Sequence, residues 1–145
     1  DTNAYVADDI LSNSTSAPTA GGFTFTSAAR ASGGAGIILD AIVNTTQAAG
    51  TPLQGELWIF DQAVTAVNDN AAFALSDADS LFLIGIIPFT LSLQPSNTLV
   101  HISAVNIPFT CVGTANLRFL IKVKAAYTPA SAEVLFVRLK IQQTN

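Results

Sequence analysis

Between Leu117 and Val123 the chain changes character at every step: Leu117, Phe119, Ile121 and Val123 alternate with positions that hold Arg118 and Lys122, and Lys124 follows. A period of two fits an extended chain, in which successive side chains point to opposite faces, so this is a strand with one core face and one basic face. The spacing returns at Leu135, Val137, Leu139 and Ile141, with Arg138 and Lys140 sharing the other side with Val134 and Phe136. Between these strands, Tyr127-Thr128-Pro129-Ala130-Ser131 reads as a turn or short loop.

Upstream, six more segments carry strand signals: Gly22 to Thr26, Gly36 to Val43, Gln54 to Asp61, Leu81 to Phe89, Thr98 to Val105 and Ile107 to Val112. Each is β-branched or aromatic, and Gly or Pro punctuates the intervals between them. With about eight strands and no helical pattern of useful length, the expected fold is all-β: a jelly-roll or related two-sheet antiparallel β-sandwich. The one helical candidate is a single turn after Ser76, where Asp79 stands in for Glu in a capping box. The chain of 145 residues fits one domain, here read as residues 23–145. Residues 1–22 are expected to form an arm, Asp1 to Leu11, on a flexible Ser/Thr/Pro/Gly connector.

Only 11% of the residues are charged, against about 25% in an ordinary soluble domain, so the exterior is neutral and suits permanent packing against partners. No apolar run approaches the roughly 18 residues of a membrane helix, and no membrane partner is expected. The single cysteine, Cys111, excludes an internal disulfide and fits a cytosolic origin. No signal-peptide pattern opens the chain, which contains no methionine and so reads as processed.

Catalytic arrangements have little to draw on. His101 is the only histidine and reads as an ordinary strand residue; Cys111 reads as a small buried apolar group. Asp69, Asp77 and Asp79 lie near Asn68 and Asn70 and offer hard oxygen ligands, but their spacing does not fit an EF-hand loop, and no metal or cofactor is expected. Glu56 and Glu133 are the only glutamates and do not read as a catalytic pair, and the Gly33–Gly36 stretch lacks a phosphate-binding pattern. The chain is not expected to be an enzyme.

The informative feature is the distribution of charge. Arg118, Lys122, Lys124, Arg138 and Lys140 all follow His101, whereas nine of the ten acids precede it. If the two C-terminal strands pair or neighbour one another, these five residues form a basic stripe for an acidic protein partner. Nucleic acid is not expected, because the chain is acidic overall and lacks interleaved aromatics. Alternating Lys and Arg on a strand also block unwanted edge pairing.

Glu56 to Asp61 (ELWIFD), Asn70 to Asp79 (NAAFALSDAD) and Leu81 to Ile87 (LFLIGII) resemble a family of small cement or decoration proteins of tailed-bacteriophage heads. The similarity follows the order of elements from about Gly33 to the C-terminus. It implies a β-sandwich on the outside of the capsid, made in the bacterial cytoplasm, that bridges major capsid subunits and associates with itself as a dimer or trimer. It carries no catalytic residues. The alternative is a carbohydrate-binding or lectin-like sandwich, which needs Trp58, Tyr5 and Tyr127 as exposed stacking platforms.

Overall fold

The computed structural model describes residues 3–46 and 50–144, and all eight expected segments form strands, joined by two short ones. In chain order they are β1 (Ile10–Leu11), β2 (Phe23–Phe25), β3 (Ala35–Thr45), β4 (Gln54–Phe60), β5 (Leu83–Thr90), β6 (Ser92–Leu93), β7 (Thr98–Ile102), β8 (Ile107–Thr110), β9 (Leu117–Val123) and β10 (Leu135–Thr144). A helical turn, α1 (Asp77–Ser80), precedes β5. The protein is an all-β sandwich of two antiparallel sheets.

The first sheet runs β1-β9-β4-β5, with β2 also on β9; the second runs β10-β3-β7-β6, with β8 also on β3. Each sheet therefore has a divided strand. β1 and β2 cover successive stretches of β9, with Leu11 opposite Ile121 and Phe23 opposite Phe119. β7 and β8 do the same for β3, with Ala41 opposite Ile102 and Ile38 opposite Ile107. Positive φ at Ala104 and Asn106 ends the run expected to continue to Val105.

The core lies between the sheets. Leu57, Ile59, Leu117, Ile121 and Val123 face Ile38, Ala41 and Val43, none more than 2% exposed. Each such burial is worth about 1.5–3 kcal/mol for the larger side chains. Both sheets also place a phenylalanine over a glycine across the ladder: Phe89 opposite Gly55, and Phe109 opposite Gly36. A Cβ at either glycine would lie 2.7 Å from the ring. A second cluster covers the outer face of the first sheet, where the chain between β4 and β5 brings Val64 and Phe73 over Ile10, Phe60 and Leu120. Within that connection Ser76 caps α1: its Oγ accepts from the Asp79 amide at 3.0 Å and donates to the Asp79 carboxylate at 2.8 Å.

The expected arm and connector are corrected for residues 3–22. Tyr5 and Ile10 are 4% and 0% exposed, and β1 is bonded into the first sheet. The connector is tied by its own polar groups, with Asn13 Oδ1 accepting from the Thr19 amide at 2.9 Å and Ser14 Oγ from the Ala17 amide at 3.0 Å. Small polar residues that resemble a linker in sequence here supply turn-forming acceptors. Asp1 and Thr2 lie outside the described residues.

Candidate partner-binding surface

The five basic residues do not form one stripe. β9 and β10 belong to different sheets, because residues 124–134 carry the chain across the sandwich rather than around a hairpin. Alternation fixes which face a side chain takes, not which strand stands beside it.

On the first sheet, Lys122 sits opposite Glu56 and is 13% exposed. Its Nζ lies 3.2 Å from Asp8 Oδ1 and 3.4 Å from Glu56 Oε2, and 5.3 and 5.5 Å from the ring centres of Trp58 and Phe73. Burial opposes its charge, but Asp8 and Glu56 outweigh this and hold its pKa above the usual lysine value. Glu56 also accepts from the Trp58 indole at 3.0 Å and pairs with Lys124 at 3.3 Å. Burial pushes the Glu56 carboxyl up, yet the indole N–H and the two ammonium groups hold it below its ordinary range. Arg118 donates to Thr24 Oγ1. These three cations are engaged within the sheet, and their role is cross-strand cohesion.

The second sheet carries Arg138 and Lys140 on its outer face. Lys140, opposite Asp40 in the β10–β3 ladder, lies 3.6 Å from Asp40 Oδ2, and His101 Nε2 approaches the same oxygen at 3.5 Å. Asp40 Oδ1 accepts from the Ala104 amide at 3.3 Å. Burial raises the Asp40 carboxyl, but the Ala104 amide, His101 and Lys140 together bring it below its ordinary value. No acid in sequence neighbours His101; the ladder supplies one from β3. Arg138 has no ion-pair partner among the described residues. Phe136, two residues before it on β10, and Leu99, across Asn44 from Phe136 on β7, are 48% and 41% exposed on the same face, and Ile42 lies between Arg138 and His101.

The other singled-out groups are committed elsewhere. Asp69 accepts from the Tyr5 hydroxyl at 2.8 Å and the Ser12 amide at 2.6 Å, while Asp79 serves the α1 cap. Among the described residues, no group of three or more His, Cys, Asp or Glu side chains is placed to hold a metal ion. Cys111 is 1% exposed, in the core. Tyr5 and Tyr127 are each 4% exposed and Trp58 packs on Phe73 at 4.7 Å, so these three rings do not form an exposed stacking platform. The tyrosines instead line a cavity of about 440 Å³ with Leu11, Asp69, Glu133 and Leu135.

Fold and surface together define an antiparallel β-sandwich whose second sheet carries Arg138, Lys140 and His101 on its outer face. Compared with family models, curated proteins and solved structures, the chain matches none of them.

Proposed function

We propose that this protein is a structural component of a phage head, binding the outside of the capsid as a cement protein and bridging major capsid subunits, as a dimer or trimer. The observation that carries this reading is the outer face of the second sheet, where Phe136 and Leu99 are 48% and 41% exposed on the face that also carries Arg138, which has no ion-pair partner among the described residues. Exposed apolar groups next to an unsatisfied cation suit a contact that is apolar at its centre and charged at its rim. Val6, Leu81, Leu93, Val112 and Val134 are also at least 46% exposed, and only 11% of the residues are charged, so copies can pack closely with little repulsion. Each bound copy stabilises the assembled over the dissociated state by mass action.

The test is size-exclusion chromatography with light scattering on the protein alone, then co-sedimentation with empty phage heads stripped of decoration. A stable oligomer that sediments with heads and raises their dissociation temperature is the expected result. A monomer that stays in the supernatant at low salt overturns it.

A further inference from the structure

The two long sides of the sandwich differ. On one side, β5 of the first sheet packs against β7 and β8 of the second, and Ile107 sits where a Cβ on Gly85 would be, 2.6 Å from that point. On the other side, β10 faces the divided edge strand formed by β1 and β2, and its ladder is with β3 alone. The inward side chains of β10, Leu135, Val137, Leu139 and Ile141, are all only half-buried, whereas the inward residues of neighbouring β3 are at most 1% exposed at Ile38, Ala41, Val43 and Thr45. Opposite them, Leu11, Phe23 and Phe25 are half-buried in the same way. Two cavities lie along this seam: the one holding Leu11 and Leu135 at one end, and another, lined by Thr24, Phe25, Leu139 and Ile141, towards the other.

The backbone of β10 adds direction to this opening. The Thr46 amide donates to the Val134 carbonyl at 3.0 Å, so by antiparallel alternation Phe136 and Arg138 turn their backbone groups towards β3. Leu135, Val137 and Leu139 then turn theirs outward, at the free edge. β10 is ten residues long, against two and three for β1 and β2, and is tied across the seam only towards its end, where Gln143 Nε2 donates to the Ser27 and Ala28 carbonyls.

We infer that the open edge of β10 receives an extended segment of a partner protein, apolar on the face that enters the seam and acidic on the face beside Arg138 and Lys140. Main-chain bonds to β10 would give affinity, and alternate side chains filling the two cavities would give specificity. Charge complementarity selects the occupant. Among the described residues Arg138 has no acidic partner, and β10 itself carries two cations and no acid, so a twin β10 would offer none in any register and about Leu139 would set Arg138 against Lys140. The identity of the partner as a capsid protein rests on the proposed function; the edge and its chemistry do not.

The probes are two blocked ten-residue peptides, one alternating Val and Glu, the other Val and Lys, titrated into the ¹⁵N-labelled protein. The Val/Glu peptide is expected to slow amide exchange at Val137 and Leu139 and to bind about tenfold better than the Val/Lys peptide at low salt. Arg138→Glu, which breaks no ion pair among the described residues, is expected to reverse that preference. Val137→Pro, at a position whose N–H faces solvent, is expected to keep the fold and abolish protection. Absence of protection at Val137 and Leu139, equal binding of both peptides, or a β10 edge already protected by self-association overturns the inference. With heads, wild-type binding that both variants retain overturns the β10 edge while leaving the cement role standing; failure of the wild-type protein to bind overturns the cement role alone.

Discussion

Lys122 and Glu56 are cross-strand partners in the β4–β9 ladder, and the Lys122 Nζ stands 3.4 Å from Glu56 Oε2 beneath the edge of a covered surface. Both side chains are under a fifth exposed, so removing one leaves the other short of a partner where water reaches it poorly. Lys122→Ala is expected to cost about 2 kcal/mol. Lys124→Ala, at the more open end of the same cluster, is expected to cost under about 1 kcal/mol. Urea denaturation of the two variants checks the difference.

The acid limb of stability follows from the same carboxyl. Glu56 and Asp79 are both held below their ordinary values, Asp79 against the effect of its burial by Thr65 and Ser76. A depressed carboxyl contributes stability above its unfolded pKa and loses it as pH falls through its folded one, so stability is expected to decline below about pH 4.5. Glu56→Gln should flatten that decline, which thermal melts across an acid pH series would show.

At alkaline pH the two tyrosines take over. Burial, followed by hydrogen bonding to Asp69 for Tyr5 and to Glu133 for Tyr127, pushes both hydroxyls well above the ordinary tyrosine value. Raised pKa values mean stability that is whole below about pH 10 and lost above it. Phenolate absorbance is therefore expected to appear only together with loss of the native circular dichroism. Tyr5→Phe, which removes the 2.8 Å bond to Asp69, should cost about 1–2 kcal/mol.

Cys111 lies in the core, and burial together with the nearby Asp61 charge pushes its thiol up. In native protein a thiol reagent should react at the rate of global unfolding, and in denaturant at once. Asp61 itself has a raised carboxyl, from burial first, and a buried Oδ1 without a protein partner. A raised carboxyl opposes folding at neutral pH, so Asp61→Asn is expected to stabilise the protein at pH 7 by up to about 1 kcal/mol and to lose that gain in acid.

Gly36 and Gly55 are tests of the packing between phenylalanine and backbone. At Gly36 an added Cβ meets both the Phe109 ring and the Gln142 carbonyl oxygen at 2.8 Å or less. Gly36→Ala is expected to destabilise by about 1–3 kcal/mol. Gly33→Ala places its Cβ in open space and is penalised by its positive φ instead. Thermal denaturation with a Phe109→Leu, Gly36→Ala double variant should recover part of the first loss and separates the two causes.

Residues that alternate in the sequence could be read directly: β9 and β10 are strands because Leu117 to Val123 and Leu135 to Ile141 leave no other way to bury one face. Their neighbours could not be read, since the choice between hairpin and crossover depends on where residues 124–134 find partners. Asp40 beside His101 and Asp8 beside Lys122 are likewise products of ladder and loop placement, with no local pattern to announce them. β1 escaped because two residues show no period, and Tyr5 because its burial depends on Asp69, far along the chain. The exposed edge of β10 is similarly a property of topology: its side chains alternate as those of an interior strand would.

β1 and β2 are made first but find their partner only when β9 has emerged. Ile10 waits for Lys122, and one edge of β3 waits for β10, so on a ribosome that adds roughly 5–20 residues per second the first sheet can close only after β9, and the second only after the final strand, has emerged. Such long-range closure makes folding slow and leaves Ile37, Ile38, Ile42 and Val43 without their β10 partners in the nascent chain. A message cut short before Leu135 would thus leave β3 paired with β7 and β8 on one side and open along the other, an edge in search of a strand.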